Sequence, residues 1–203
     1  MVVGDIETGT ELLVIGGGPA GYAAAIRAAQ NNTDVTLIEK GEVGGTCLNR
    51  GCIPAKALIH AAGFQKDMEH WDKIGIHNEG LDVDFSEVQA WKKDIVEKLN
   101  AGVRHKLEAV GVDLMKGEAR FIDDSTVRVE EEHNAEKIEF ENAIIATGSK
   151  PIEIPGLEFD KDKIISSKEL LNLDEVPEEI VVVGGGYIGM EAVTKFCKFG
   201  STV

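Results

Sequence analysis

Two cysteines and a lysine lie close together in residues 44–58, which read GGTCLNRGCIPAKAL. Four residues separate Cys47 from Cys52, and Lys56 follows one helical turn after the second cysteine. Such spacing allows two thiols to come within disulfide range where a helix begins. The positive end of a helix dipole also favours the thiolate form of a nearby cysteine. The stretch therefore predicts a redox-active cysteine pair.

A metal site is the alternative use of closely spaced cysteines. The gap is wider than in the common zinc knuckle, and no second Cys/His pair accompanies it. The third cysteine, Cys197, is predicted to be a small buried hydrophobic residue. Each histidine lacks a plausible metal partner nearby and is predicted to be solvated or capping: His60, His70, His77, His105 and His133. No metal is expected.

Composition excludes several classes of protein. The 203 residues include 36 acidic and 21 basic side chains, for a net charge of −15, and no basic stripe exists to bind nucleic acid. A hydrophobic content of 43% is enough for a globular core. No signal peptide or membrane span is evident, so we expect a cytoplasmic protein. The dispersed carboxylates fit either a halophile's salt-rich cytoplasm or an ordinary acidic protein.

A dinucleotide-binding fingerprint precedes the cysteines. The apolar run ELLVI is followed by Gly16, Gly18 and Gly21 in the spacing GxGxxG, and then by an alanine-rich helix pattern. These glycines permit a tight turn, close approach of a pyrophosphate, and packing of the helix on the strand. A second strand, DVTLI, ends at Glu39, where a carboxylate can bind ribose hydroxyls. The segment predicts a βαβ nucleotide-binding unit.

The same pattern returns near the end of the chain. Residues 180–203 align without gaps on residues 12–35, at a constant offset of 168. Gly184, Gly186 and Gly189 match the three glycines of the first copy. We therefore predict a second dinucleotide-binding unit. It stops four residues short of the counterpart of Glu39, so we expect it to be incomplete, with an open sheet edge.

Between the two copies, helix and strand patterns alternate. Apolar residues recur every three or four positions through 88–107 and predict an amphipathic helix that starts in a capping box at Ser86, with Trp91 packed inward. Strands are predicted at 112–115, at 127–129 and 137–140 as a surface hairpin, and at 143–146 as a buried strand. Pro151 and Pro155 then predict a border between domains 1–150 and 151–203.

With these motifs together, the chain resembles the N-terminal part of the flavoprotein disulfide reductases, and among them the dihydrolipoamide dehydrogenase group. Four stretches carry the resemblance: GGGPAGYAAAIRAAQ, GGTCLNRGCIPAKAL, NAIIATGSKP and VVVGGGYIGME. Mercuric and glutathione reductases share much of the cysteine motif. The resemblance implies an α/β fold with a Rossmann-like FAD-binding domain, followed by the start of a Rossmann-like NAD-binding domain.

The resemblance also implies a role for each residue of these motifs. Cys47 would exchange with the substrate disulfide, and Cys52 would face the flavin. Lys56 would pair with Glu191 and stabilise negative charge on reduced flavin; a plain surface lysine is the alternative. Tyr187 would gate the nicotinamide pocket or simply pack. FAD would contact Gly16, Gly18, Gly21, Glu39, Gly117, Ala146, Thr147 and Gly148; NAD would contact Gly184, Gly186, Gly189 and Glu191.

The implied reaction is oxidation of dihydrolipoyl groups, with FAD as the bound carrier and NAD as acceptor. The implied partners are the dihydrolipoyl groups of 2-oxoacid dehydrogenase or glycine cleavage complexes, and full-length members form homodimers. Family members continue into a domain that supplies a His–Glu acid/base pair, which these 203 residues do not contain. The sequence thus leaves three possibilities: the dehydrogenase, an FAD-binding fragment without turnover, or a sibling disulfide reductase.

Overall fold

The protein is described by a computed structural model over residues 7–68, 71–77, 82–131 and 134–203. The chain divides into two compact units. The first contains residues up to Asn49 together with Lys98–Lys150, and the second contains Arg50–Glu97 together with Pro151–Val203. The assignment of domains 1–150 and 151–203 stays a prediction.

In the described part of the chain, the first unit is built on one sheet of six strands, numbered β1 to β6 along the chain. Their order across the sheet is β3-β2-β1-β6-β5-β4. Strands β1, β2, β3 and β6 run parallel, whereas β5 is antiparallel to both β4 and β6. The bounds of the six strands are, in order, Glu7–Ile15, Val35–Glu39, Asp113–Lys116, Glu118–Phe121, Thr126–Glu130 and Ala135–Ile145. Parallel strands with helical crossovers are the architecture that the first glycine motif predicts.

Both faces of this sheet are buried, as expected for a parallel sheet. On one face, Val14 and Leu37 pack with residues of helix α1 (Pro19–Ala29) and with Leu107 of helix α4 (Phe85–Ala109). On the other face, Leu13 and Ile38 pack with Val127, Val129 and Ile138. Side chains alternate along β1, so that neighbouring residues enter different cores. This double core fixes the ends of β1 and β2, where the glycine turn and Glu39 lie.

The second unit is mainly helical. Helix α3 (Cys52–Met68) packs on helix α6 (Tyr187–Phe199), and a 3₁₀ helix, Trp71–Ile74, follows α3. Helix α4 contributes its residues up to Glu97, and the short helix α5 covers Ser167–Leu170. A core cluster includes Leu58, Phe85 and Phe199, whose two aromatic rings meet edge to face with centroids 5.3 Å apart. The remaining helix of the first unit, α2, spans Gly45–Arg50.

The structure corrects several local predictions about strands. The predicted surface hairpin is antiparallel, but its valines and Ile138 are buried because they form the second sheet core. The segments 137–140 and 143–146 are parts of one long strand, β6. The end of β6 is not buried: Ile145 is 67% exposed, since β5 flanks β6 only as far as Glu139.

Three predictions about side chains in helices are also wrong. Helix α4 is capped by Asp84, not by Ser86, because the Asp84 carboxylate accepts hydrogen bonds from the backbone N–H groups of residues 86 and 87. Trp91 is 42% exposed and stacks on His60 instead of entering the core. Cys197 is exposed, because it lies beside the buried stripe of α6.

In the second copy of the repeat, residues 180–183 are not paired as a strand in the part of the chain that the structure describes. A single bridge joins Glu179 to Thr202. In the alignment of the two copies, Val203 matches Val35, the residue at which β2 begins in the first copy. His70 and His133 lie outside the described residues.

Candidate functional site

A tight glycine turn connects β1 to α1. Gly16 donates a backbone hydrogen bond to the carbonyl oxygen of Ile38 at 2.8 Å and has a φ of +103°, which favours glycine. A Cβ at Gly16 would stand 2.4 Å from the carbonyl oxygen of Ala146, and one at Gly21 would stand 1.7 Å from the oxygen of Gly16. The turn therefore accepts no side chain at either position.

Gly18 differs from these two glycines because a Cβ built there would make only an ordinary van der Waals contact. The nearest heavy atom to a Cβ built there is Cα of Gly45, at 3.8 Å. Gly18 is also the N-cap of α1, and no side chain caps the helix. The N–H groups of the first turn therefore remain available to an anion, with the helix dipole favouring negative charge.

The other residues predicted to contact FAD gather around this turn. The Glu39 carboxylate accepts hydrogen bonds from the N–H groups of Gly17 and Gly41, each at 2.7 Å. Gly117, with φ +153°, donates its N–H to the Glu39 carbonyl oxygen at 3.1 Å. The N–H of Ala146 donates to the carbonyl oxygen at the end of β1, and residues 147 and 148 follow directly. The first unit thus brings this predicted set together.

The loop that carries Cys47 lies against the same turn. Gly44, with φ +96°, donates its N–H to the carbonyl oxygen of Gly17 at 2.7 Å. A Cβ on Gly45 would stand 2.6 Å from Cα of Gly18, so the two backbones pack directly on each other. Cys47 follows in α2 and is half-buried. The sequence analysis did not predict that Gly44 and Gly45 pack against the glycine turn, although two adjacent glycines before Cys47 were visible in the sequence.

Cys52 and Lys56 belong to the second unit. Cys52 is the first residue of α3 and is exposed. One turn later, the Lys56 ammonium donates to Oε1 of Glu191 at 2.6 Å. The two side chains are 60% and 28% exposed. An ion pair this open to solvent adds about 1 kcal/mol or less to the stability of the folded protein.

The second glycine turn repeats the local geometry of the first. Gly184 has a φ of +112°, and a Cβ on Gly189 would stand 2.2 Å from the Gly184 carbonyl oxygen. Gly186 is the N-cap of α6 and has no side-chain capping bond. Tyr187 is 76% exposed, so it does not pack in the core of this unit. The turn and the helix start are present, as the repeat predicts.

Two buried lysines of the second unit, Lys92 and Lys195, were not predicted. The Lys92 ammonium donates to Gln89 Oε1, to the Leu171 carbonyl oxygen and to Asn172 Oδ1, and burial lowers its pKa. Burial lowers the pKa of Lys195 to about 8; the charge of Glu191 opposes this shift and that of Lys92 adds to it. The four-residue spacing of Lys195 from Glu191 could have indicated this proximity.

Among the described residues, no group of three His, Cys, Asp or Glu side chains is placed to hold a metal ion. In the same part of the chain, no helix is both long and apolar enough to cross a membrane.

Comparisons with known proteins agree with this geometry. Residues 10–203 match the family described as pyridine nucleotide-disulphide oxidoreductase. The chain is 53% identical over 206 residues to the dihydrolipoyl dehydrogenase of Haloferax volcanii and 51% identical over 203 residues to that of Geobacillus stearothermophilus. Both alignments cover 100% of this chain and 43% of the relative.

Solved structures are similar to this chain as well. LpdA from Mycobacterium tuberculosis matches with a TM-score of 0.88 and 27% identity, over 95% of this chain and 43% of that one. The HOCl-induced flavoprotein disulfide reductase RclA from Escherichia coli matches with a TM-score of 0.79 and 33% identity, over 94% and 40%.

These matches confirm the predicted α/β fold class and, at the level of the family, the cofactors FAD and NAD. The chain spans less than half the length of the curated relatives named above. It belongs to the pyridine nucleotide-disulphide oxidoreductase family.

Proposed function

We propose that this chain is the FAD-binding part, with the beginning of the NAD-binding part, of a dihydrolipoyl dehydrogenase. One observation carries the proposal: the loop that leads to Cys47 is hydrogen-bonded to the glycine turn of the nucleotide fingerprint, through Gly44 N–H and the Gly17 carbonyl oxygen. A redox thiol built onto a dinucleotide-binding turn is the arrangement that a flavin-linked disulfide oxidoreductase needs. The identity of 51–53% to named dihydrolipoyl dehydrogenases supports this substrate class.

The residues present fit FAD. Gly18, which has no side chain, and the uncapped N–H groups of α1 suit a pyrophosphate, whereas the close contacts at Gly16 and Gly21 keep the turn tight. Glu39 would hold the adenosine ribose, Gly117 the adenosine part, and residues 146–148 the second flavin-contacting segment. When bound, FAD supplies an acceptor for two electrons and a route for them to NAD.

The chain's own chemistry is thiol–disulfide exchange. A dihydrolipoyl thiolate attacks Sγ of Cys47 in its disulfide with Cys52, which forms a mixed disulfide and releases Cys52 as a thiolate. The second substrate thiol then attacks the substrate sulfur of the mixed disulfide, closes the lipoyl disulfide and releases Cys47 as a thiolate. The substrate loses two electrons, which the cysteine pair gains, and two protons, which pass to the solvent.

Lys56 and Glu191 have an electrostatic role in this proposal. Lys56 would stabilise negative charge that develops on reduced flavin, and Glu191 would hold its ammonium in place through their 2.6 Å ion pair.

The second glycine turn is proposed to hold NAD. Gly184, Gly186 and Gly189 would form the pyrophosphate turn, and the exposed ring of Tyr187 would gate the nicotinamide pocket. Domain 1–150 would then bind FAD, and residues 151–203 would begin the NAD-binding domain. The natural substrates would be dihydrolipoyl groups of 2-oxoacid dehydrogenase or glycine cleavage complexes, acted on by a cytoplasmic homodimer.

A narrower function is the alternative: FAD binding without turnover. It is favoured because the glycine turn, Glu39, Gly117 and residues 146–148 all belong to one unit, the first. The similarity to RclA supports a third candidate, a sibling disulfide reductase with another substrate.

Absorbance spectroscopy of the purified chain with FAD tests the assignment. Partial reduction should produce a long-wavelength thiolate-to-flavin band, which Cys52→Ser abolishes and Cys47→Ser retains. Bound FAD without the band would contradict the role of Cys52. Assays with dihydrolipoamide and NAD then separate the candidates, because FAD binding without turnover supports the narrower function.

A further inference from the structure

The helix that carries Cys47 is anchored at its far end by an amide pair. Asn100 of α4 donates its side-chain N–H groups to the carbonyl oxygen of Val43 at 2.6 Å and to Oδ1 of Asn49 at 3.0 Å. Asn49 lies two residues after Cys47 in the same helix. All these residues belong to the first unit.

Asn49 is also hydrogen-bonded to the loop that precedes α2. Its Nδ2 donates to the carbonyl oxygens of Glu42 and Val43, at 3.1 and 2.9 Å. The carbonyl oxygen of Val43 thus accepts from both amides, and Val43 itself is buried. The interlocked hydrogen bonds fix the orientation of both amide groups.

Helix α2 needs such anchors because it is short. A six-residue helix is not stable by itself, and it begins at glycines with positive φ, which hold a conformation only when neighbours enforce it. The contacts of Gly44 and Gly45 with the glycine turn fix the N-terminal end of α2. The hydrogen-bonded amides of Asn49 and Asn100 fix its C-terminal end, and Cys47 lies between these two sets of contacts.

We propose that Asn100 is a positioning residue for the thiol of Cys47. The inference rests on the proposed function, since it assigns Asn100 to the reaction of Cys47 with its disulfide partner. Removing the Asn100 amide leaves Oδ1 of Asn49 without this donor, so that the C-terminal end of α2 is held only by the hydrogen bonds of Asn49 to Glu42 and Val43. Cys47 then samples more orientations, its effective concentration toward Cys52 falls, and the disulfide becomes less stable relative to the dithiol.

The test measures the dithiol/disulfide equilibrium of the full chain in glutathione buffers, with thiol trapping and mass spectrometry as the readout. Cys197→Ser is the background, so that only two thiols are counted. Asn100→Leu removes the donors at similar volume, and Asn100→Gln restores a donor. Arg104→Leu is the matched control: it breaks the 2.6 Å ion pair with Glu42 one turn along α4 but leaves the amide pair intact.

Asn100→Leu should lower the equilibrium constant for disulfide formation about tenfold, a rise of about 30 mV in reduction potential. Asn100→Gln should recover most of this loss, and Arg104→Leu should stay within about twofold of the parent. The inference would be overturned if the equilibrium constants of Asn100→Leu and the parent agreed within twofold. It would also be overturned if Arg104→Leu changed the constant as much as Asn100→Leu does.

Melting curves accompany each variant. If Asn100→Leu fails to fold, Asn100→Asp decides the question: its carboxylate repels the two oxygens that the amide contacted, so it should reduce disulfide stability at least as much as expected for leucine. An unchanged equilibrium in Asn100→Asp would then overturn the inference. A parent chain that forms no disulfide between its two remaining cysteines would contradict the proposed function itself, which is a different outcome from a parent whose disulfide is insensitive to Asn100.

Discussion

Replacing Lys195 with methionine should stabilise the second unit at neutral pH. Lys195 is 2% exposed on the inner stripe of α6, and its ammonium lies 5.3 Å from the centroid of the Phe196 ring. Burial lowers its pKa from 10.5 to about 8, despite attraction by Glu191 on the same helix. Lys92 on α4 adds repulsion. Methionine keeps the length of the side chain and removes the buried charge.

The magnitude follows from the pKa difference between the folded and unfolded states. A lowering from 10.5 to about 8, at about 1.4 kcal/mol per pH unit, is roughly 3 kcal/mol of destabilisation when Lys195 is charged in both states. Between pH 8 and pH 10.5 the unfolded chain binds more protons, so the stability of the parent rises with pH. The full penalty is present below pH 8 and is gone above pH 10.5.

The assay is denaturant unfolding of the parent and of Lys195→Met at pH 7 and at pH 10. The variant should exceed the parent by about 3 kcal/mol at pH 7, and most of this difference should vanish by pH 10. Lys198→Met is the matched control, because it removes one positive charge from the same helix at a more exposed position.

Two results would refute this reasoning. A difference below about 1 kcal/mol at pH 7 would mean that the ammonium is not desolvated. A difference that stays constant between pH 7 and pH 10 would mean that methionine acts through packing and not through charge.

Three further predictions concern the turns, caps and ion pair. Gly21→Ala should destabilise the first unit and abolish FAD binding, since its Cβ would stand 1.7 Å from a carbonyl oxygen. The Cβ of Gly18→Ala would stand 3.8 Å from Cα of Gly45, so this variant should melt at the same temperature as the parent. In a fluorescence titration, Gly18→Ala should bind FAD on the order of tenfold more weakly than the parent. Asp84→Ala should lower the melting temperature at pH 7. Hydrogen bonds from the Ser86 hydroxyl, from the N–H of residue 87 and from the Ser86 N–H lower the Asp84 pKa below 3.8, so the difference between variant and parent should shrink as the pH falls through that lowered pKa. A double-mutant cycle of Lys56→Met and Glu191→Gln should give a coupling below about 1 kcal/mol, and a coupling above 3 kcal/mol would show a structural ion pair instead.

The sequence was most informative where one residue type satisfies a local steric demand. Gly16 could be assigned because its φ is positive, and Gly21 because a Cβ there would meet the carbonyl oxygen of Gly16; both demands arise within six residues. The position of Glu39 followed from the length of one βαβ unit. Such features depend on few distant contacts, so the spacing of residues predicts them.

Burial of individual helix residues was harder to predict, because it depends on which face of the helix meets a neighbour. The inner stripe of α6 contains Ala192, Lys195, Phe196 and Phe199, at helical spacing. Lysine at such a position is usually interpreted as solvated. Cys197, a residue type that is usually buried, is one position off the stripe and is exposed. The helical spacing of the buried residues places Lys195 inside the stripe and Cys197 outside it, whereas the average burial of lysine and cysteine predicts the opposite.

The two glycine turns separate local from non-local structure within one chain. Gly18 and Gly186 have almost the same backbone angles, φ −72° with ψ −178° and φ −72° with ψ 175°. Both precede a helix without a side-chain cap, yet only the first turn follows a paired strand among the described residues. The glycine turn and the helix start therefore form from local sequence, whereas a strand requires a partner that supplies hydrogen bonds. It follows that the uncapped helix start, the part of the fingerprint that contacts a phosphate, can be tested for anion binding in both copies even though only one has its sheet.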